Sequence, residues 1–342
     1  MTFLAPGNSH EHSILQNIDK TGRQINYLRI SVTDRCNLAC MYCVPKENIP
    51  RLSHKKIARY EELVKIVNLA ADIGITKVRI TGGEPLVRKG IFTFIKKLHD
   101  IKNIRDVTVT TNGVLLKKQK INLRNSGIKR LNISLDTLDP EKFEFITGKN
   151  YFEQVWQGIM TAYDMGISPI KLNCVVMKHI NGNEITDLAA LSLKYPFHVR
   201  FIEYMPMGSS IVDETQQMFI PEIREILDNK FGPLVPVQKS VFDGPATRFR
   251  IRNAPGEIGF ISPISSHFCS ECNRIRLTST GRLRPCLLRN TETDILGPLR
   301  QGALDSELKE IIKTVIKNKP AAHGIENKDS DNICAQMSEI GG

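Results

Sequence analysis

The sequence predicts an α/β chain in two regions: a parallel sheet laid down by six βα units over residues 22–215, and a smaller α+β region over residues 216–320. Three observations carry this. Apolar strand-like runs alternate with segments of helical periodicity from Tyr27 to Tyr204, and that alternation builds a parallel sheet through right-handed crossovers. It stops at the polar stretch around Gly208-Ser209-Ser210, which sets the boundary near residue 215. Beyond it the strand-like runs shorten, and six units are too few for a closed eightfold barrel.

Residues 1–21 are polar and mixed, the pattern of a mobile arm. Tyr27–Val32 reads as the first strand. Tyr60–Ile73 carries Leu63, Ile66, Val67 and Ala70 at helical spacing and stops at Gly74, a glycine suited to a helix C-terminus. The strands Lys77–Thr81, Val107–Thr111, Arg130–Leu135, Ile170–Val176 and Val199–Tyr204 follow, separated by helices at Ile91–His99, Leu115–Arg124, Phe152–Met165 and Glu184–Leu193. The second region opens with a helix over Pro221–Asn229. Short strands are predicted at Leu234–Val237, Thr247–Ile251, Ile258–Ile261 and Arg276–Ser279, then helices at Asp294–Gln301 and Ser306–Ile316. Residues 321–342 read as a loose tail ending in Gly341-Gly342.

The chemistry points to the loop after the first strand, where Cys36, Cys40 and Cys43 are spaced C-x3-C-x2-C. Thiolates are soft ligands for zinc, copper(I) and iron-sulfur clusters, and a four-iron cluster normally takes four of them. Three leave one iron open to a second molecule. Zinc and buried core thiols are the competing readings; a zinc site needs a fourth ligand close by, yet the next cysteine is Cys174. A second triplet, Cys269, Cys272 and Cys286, is spaced C-x2-C-x13-C. Here zinc, with His267 as fourth ligand, and a cluster are equally consistent with the spacing. Cys174 and Cys334 stand outside both sets and read as packing thiols. Arg274 and Arg276 share one face of a strand, and paired guanidinium groups match phosphate oxygens.

Composition narrows the classes. Hydrophobic residues make up 41% and charged residues 24%, ordinary for a soluble globular chain. No basic n-region precedes an apolar stretch, and no membrane-length apolar run occurs, so a cytoplasmic protein is expected. Clustered C-x2-C spacings without a secretion signal favour metal work over disulfides. The net charge of +11 admits nucleic acid, but there is no dense Lys/Arg block and only 6% of residues are aromatic. A polyphosphate small molecule accounts for the excess as well.

Asp34-Arg35-Cys36-Asn37-Leu38-Ala39-Cys40-Met41-Tyr42-Cys43, followed by Thr81-Gly82-Gly83-Glu84-Pro85, resembles the radical SAM superfamily. With Arg29-Ile30-Ser31-Val32-Thr33 and the C-terminal features, the chain from about residue 22 onward is similar to the molybdenum cofactor biosynthesis protein A family, the GTP 3',8-cyclases. That resemblance implies a partial (β/α)6 TIM-like barrel whose open side is capped by the C-terminal α+β domain carrying a second cluster. It implies two [4Fe-4S] clusters, one on Cys36, Cys40 and Cys43 with S-adenosylmethionine, the other on Cys269, Cys272 and Cys286 facing the guanine. Matched position by position, Tyr42, Gly83, Ser134 and Met205 are expected to contact S-adenosylmethionine, and Arg29, Arg79, Thr110, Lys171, Arg274 and Arg276 to contact GTP. Gly341 and Gly342 are expected to reach into the active site. Taken alone, Gly82-Gly83 reads as a turn, Ser134 as a capping hydroxyl, Met205 as a core side chain and each cation as a solvated charge.

The implied reaction begins with one-electron cleavage of S-adenosylmethionine. The radical takes the ribose 3' hydrogen of GTP, and the sugar carbon bonds to C8 of guanine, giving (8S)-3',8-cyclo-7,8-dihydroguanosine 5'-triphosphate. The expected partners are a reducing electron donor and the next enzyme of the molybdopterin pathway, which would receive the product; a homodimer is compatible, and neither membrane nor nucleic acid is expected. The alternatives are a radical SAM peptide maturase with an auxiliary cluster and a zinc-stabilised nucleic-acid-binding module.

Overall fold

The computed structural model describes residues 17–43, 52–205, 212–238, 244–323 and 337–341. Six parallel strands run in sequence order: β1 (Tyr27–Ser31), β2 (Lys77–Thr81), β3 (Asp106–Thr111), β4 (Leu131–Ser134), β5 (Ile170–Val176) and β6 (His198–Glu203). Between them lie α1 (Tyr60–Asp72), α2 (Ile91–His99), α3 (Lys120–Arg124), α4 (Pro140–Thr147), α5 (Phe152–Asp164) and α6 (Ile185–Lys194). The C-terminal region adds α7 (Ile220–Phe231), β7 (Val235–Pro236), β8 (Thr247–Arg250), β9 (Glu257–Ile261), β10 (Arg274–Leu277), β11 (Arg282–Arg284) and β12 (Thr293–Asp294). It ends in α8 (Leu296–Arg300), α9 (Asp305–Lys317) and the short α10 (Met337–Ile340).

The second region does not build a sheet of its own. β9 pairs in parallel with β6 and β10 in parallel with β1, so the C-terminal strands extend both edges of the barrel sheet. Antiparallel β8 and β7 finish one end and β11 and β12 the other, giving a continuous sheet of twelve strands. Edge capping of this kind protects strands that an incomplete barrel would leave open.

Side-chain alternation decides what faces where. On one face Leu28, Ile30, Val78, Ile80, Val107 and Val109 enter the apolar core with Leu63, Ile66 and Val67 of α1 and Phe94, Ile95 and Leu98 of α2. The opposite face is polar. Across β10, β1 and β2 it sets Arg276, Arg29 and Arg79 in one row of the register; across β3, β4, β5, β6 and β9 it sets Thr110, Asn132, Lys171, His198 and Glu257 in another.

Several elements differ from expectation. The helix expected over Leu115–Arg124 is confined to α3, and the strand expected at Arg276–Ser279 begins at Arg274. α4 has no counterpart among the expected helices, although Asp139 caps it by accepting from Glu141 N and Lys142 N, Pro140 opens it and Gly148 ends it in the left-handed region. Residues 17–21, expected in a mobile arm, are tied down: Asn17 is buried and donates to Ile25 O and Gly74 O, and Asp19 pairs with Arg23. The expected loose tail contains α10, whose Ile340 is buried. Residues 1–16, Cys334 and Gly342 lie outside the described residues. Among the described residues no helix is long and apolar enough to cross a membrane.

Candidate active site

Cys36, Cys40 and Cys43 lie on the loop that leaves β1, all three half-buried free thiols. α4 holds this loop from one side: Ala39 N donates to Thr147 O and Met41 N to Ile146 O, both at 2.9 Å. These are carbonyls of the last helical turn, which lack partners within a helix. From the other side comes the Gly82-Gly83 turn after β2, where Gly83 N donates to Thr33 O at 2.7 Å and Glu84 N to Arg35 O at 2.8 Å. A Cβ on Gly83 would collide with the carbonyls of Arg35 and Asp34. Gly83→Ala is therefore expected to cost about 1–3 kcal/mol and to lower iron retention at this loop, measured by denaturant titration and metal analysis.

A carboxylate braces the same corner. Glu84 accepts from Asn112 N (2.7 Å), Leu86 N (2.9 Å) and Thr111 Oγ1 (2.8 Å), and burial still pushes it up to about 7. Asn112 in turn donates through Nδ2 to Asn37 Oδ1 at 2.8 Å and to Cys36 Sγ at 3.7 Å. Burial pushes Cys36 up to about 11 and Cys43 up to about 12, and burial with the neighbouring Cys43 and Asp136 pushes Cys40 well above its ordinary value. Without a metal these thiols keep their protons.

The second triplet is assembled by a hairpin. Cys269 opens a short turn, Cys272 ends it, and β10 then pairs antiparallel with β11 through Arg276–Arg284 and Leu277–Leu283. The hairpin brings Cys286 back beside Cys272, which explains the thirteen-residue spacer. Lys319 arrives from beyond α9, its Nζ donating to Arg274 O at 2.8 Å and Pro285 O at 2.7 Å. Burial raises the Cys272 thiol, but Arg274 and Lys319 overcome it and leave the group at about 6. The two triplets therefore sit in opposite fields, the first apolar and slightly acidic, the second basic.

Glu203, at the end of β6, anchors the loop that leads into Cys269. Its carboxylate accepts from Ile264 N and Ser265 N at 2.9 Å each, from Ile220 N at 3.0 Å and from the Ser265 hydroxyl. Glu203→Ala would leave these donors unpaired at about 1–3 kcal/mol each. If the second triplet holds a metal, it is expected to be lost while that of the first is retained, read by metal analysis of the purified chain.

A cavity of about 260 Å³ runs along the inner face of the sheet, from Ser134 and Met205 near the C-terminal ends of β4 and β6 to Cys272 and Cys286 at the N-terminal end of β10. Of the residues expected to contact S-adenosylmethionine, Tyr42, Ser134 and Met205 line it; of those expected at GTP, Arg29, Arg79, Thr110, Arg274 and Arg276 do; so do Cys269, Cys272 and Cys286. Tyr42 donates its hydroxyl to Asp136 Oδ2 at 2.6 Å, while Asp136 Oδ1 accepts from Val175 N at 2.8 Å. Gly83 is not on the wall, being packed against the cysteine loop, and Cys36, Cys40 and Cys43 are not among the lining residues, although their neighbour Tyr42 is. Lys171 is buried on the inner face of β5, two residues before the lining Asn173. Gly341 has φ 77°, and its carbonyl accepts from Arg276; a side chain there would strike Thr81. Cys174 is a core thiol hydrogen-bonded to Asp136 O and Asn181, as a packing cysteine would be.

Sequence reasoning missed Asn173, Arg200, Lys319 and His323 on the same wall. Two of them carried a signal: Asn173 follows Lys171 by two residues and shares its strand face, and Arg200 holds the corresponding place on β6, directly paired with Asn173. Lys319 and His323 come from a loop after α9 and had none.

Comparison with known proteins covers both regions. The radical SAM superfamily matches residues 30–191, and the family described as Molybdenum Cofactor Synthesis C matches residues 197–325. The chain is 48% identical over 325 residues to a GTP 3',8-cyclase of Thermodesulfovibrio yellowstonii, covering 95% of this chain and 99% of that one. It is 44% identical over 324 residues to that of Moorella thermoacetica, with the same coverage. Among solved structures, Streptococcus suis SuiB bound to S-adenosylmethionine aligns with a TM-score of 0.62 at 18% identity, over 93% of this chain and 70% of that one. At that identity the likeness concerns the fold.

Proposed function

The chain belongs to the GTP 3',8-cyclase family, radical SAM enzymes of molybdenum cofactor synthesis, and from that premise we propose which of its residues hold each reactant. The observation that carries the assignment is the cavity itself, which opens at one end towards Tyr42 and Ser134, beside the first cysteine loop, and at the other onto the second triplet, with Arg29, Arg79, Arg274 and Arg276 between.

The donor sets suit the groups expected of them. Three thiols on one loop, with an amide donor on Cys36 Sγ and no fourth cysteine nearby in sequence, match a four-iron cluster with one iron left for S-adenosylmethionine. Their raised pKa values mean that the metal must displace protons on binding. Cys269, Cys272 and Cys286 repeat the three-thiol set beside the arginines. When bound, the first cluster and S-adenosylmethionine supply the one-electron chemistry that removes the ribose 3' hydrogen.

This chain's own groups position and neutralise. Tyr42, fixed by Asp136, and Ser134 and Met205 flank S-adenosylmethionine. Arg29, Arg276 and Arg274, with Lys171 deeper on β5, offset the roughly four negative charges of a nucleoside triphosphate. Thr110 Oγ1 and Asn173 Oδ1 are buried with no hydrogen-bond partner among the described residues, which leaves them for the nucleoside. Gly341, docked on Arg276, helps close the mouth against water. Holding the sugar carbon near C8 converts ring closure into a unimolecular step.

Anaerobic incubation of reconstituted chain with S-adenosylmethionine and GTP deuterated at C3' is expected to give an isomer of GTP separable by chromatography and deuterium in 5'-deoxyadenosine. Deuterium retained in the nucleotide would overturn the assignment.

A further inference from the structure

Two histidines at the second triplet have no part in the reading above. His267 lies on the loop between β9 and Cys269, and His323 follows α9; their rings meet edge to face, with centroids 5.1 Å apart at 82°. One ring nitrogen from each and Cys269 Sγ all lie within 4.8 Å of one another. Ligand atoms around a tetrahedral zinc ion are about 3.5 Å apart, so closing this set takes a shift of about an ångström, and the exposed His267 is the side chain placed to make it.

The surroundings support a ligand role. His323 is buried, and its Nε2 lies 3.0 Å from Pro263 O. A ring nitrogen donating to a backbone carbonyl fixes the tautomer and leaves the other nitrogen, Nδ1, to bind metal. The His323 backbone N–H donates to the Cys269 sulfur, so two of the three groups are already tied together.

We propose that His267, Cys269 and His323 form a mononuclear site for a thiophilic divalent cation such as zinc, which competes with the cluster for Cys269. Zinc there takes one of the three thiolates a cluster needs and sits in the cavity wall. The second triplet is thus selective for its cluster only while iron and sulfide outcompete zinc, and a zinc-loaded chain is an off state that cannot accept a cluster at this position.

Cobalt(II) reports the ligands. The full-length chain bearing Cys36→Ala, Cys40→Ala and Cys43→Ala, so that only the second triplet remains, is freed of iron and titrated with Co²⁺ under reducing anaerobic conditions. The expected result is one tetrahedral Co²⁺ per chain, with thiolate-to-metal absorption weaker than three thiolates give, displaced by one equivalent of Zn²⁺. His267→Ala and His323→Ala are each expected to weaken Co²⁺ binding by more than about tenfold, while both variants still take up about four irons at this triplet on reconstitution. A three-thiolate spectrum with unchanged affinity in both variants overturns the proposal. So does loss of cluster uptake in His267→Ala, whose exposed ring does not hold the fold, because the histidine then serves the cluster itself. The proposal assumes that the triplet also takes a cluster; failure of the parent chain to gain iron would count against the functional reading and leave the cobalt result standing.

Discussion

Cys40→Ser is expected to remove reductive cleavage of S-adenosylmethionine, by at least about a thousandfold, equivalent to about 4 kcal/mol of transition-state stabilisation. A serine oxygen is a hard ligand of high pKa and does not replace a soft thiolate on iron. With only Cys36 and Cys43 left, the loop offers two of the three ligands. The loop itself should survive, because its backbone hangs on the α4 carbonyls and on the Gly83 and Glu84 amides rather than on the Cys40 sulfur. The variant should therefore fold, keep about four of eight irons on the second triplet, and yield no 5'-deoxyadenosine under dithionite. Wild-type levels of 5'-deoxyadenosine would remove the first triplet from the mechanism. On the proposed assignment Cys269→Ser is the opposite case: iron is expected to be lost at the second triplet while the first keeps its cluster.

The barrel and its reactive loops were legible because each signal was local. Strand period, helix spacing and two cysteine hooks are written within short windows, and they locate β1 to β6 and both triplets within a few residues. What was not legible depends on distant chain. Nothing near Lys319 announces that its ammonium will reach the carbonyls of Arg274 and Pro285, and nothing near Glu203 shows that it will gather the amides of Ile264 and Ser265. Short strands look independent in sequence, so the second region reads there as a smaller domain beside the barrel; pairing of β9 with β6 and of β10 with β1 can be seen only once the barrel's open edges exist. The net charge of +11 is ambiguous for a similar reason. Much of it is turned inward, where Arg29, Arg79, Arg200, Arg274, Arg276 and Lys319 share one cavity wall, and composition cannot tell an inward cation from a surface one. The nucleic-acid reading loses its support on that placement and on the 48% identity to a GTP 3',8-cyclase along nearly the whole chain.

Replacing Arg274 and Arg276 together with alanine is expected to weaken GTP binding by about 10²–10⁴-fold, at about 1.5–3 kcal/mol for each charge-assisted hydrogen bond to phosphate that the variant cannot make. The register puts Arg276 directly beside Arg29 on β1, and Arg29 beside Arg79 on β2, so three guanidinium groups line up across adjacent strands with Arg274 two residues away on the same face. Such crowding is costly without an anion. Burial and then the neighbouring Arg274 lower Arg276 to about 9, and burial and Arg276 hold Arg29 well below its ordinary value. A triphosphate relieves that repulsion, so these positions bind better than isolated surface arginines would. The sign of the pH effect follows. Arg276 must carry its proton to bind phosphate, and its pKa without ligand is depressed to about 9, so GTP affinity should be flat from about pH 7 to 8 and fall as pH rises through about 9. In Arg276→Ala the binding should be weaker and the decline should move to higher pH, because the variant loses the Arg276 group and relieves Arg29 of a neighbouring charge. Calorimetric titration of the reconstituted chain with GTP and with guanosine separates the cause: the double variant should lose GTP affinity steeply and guanosine affinity hardly at all. Equal loss for both ligands would mean that the arginines shape the pocket rather than hold the phosphates, and unchanged GTP affinity would place the triphosphate elsewhere.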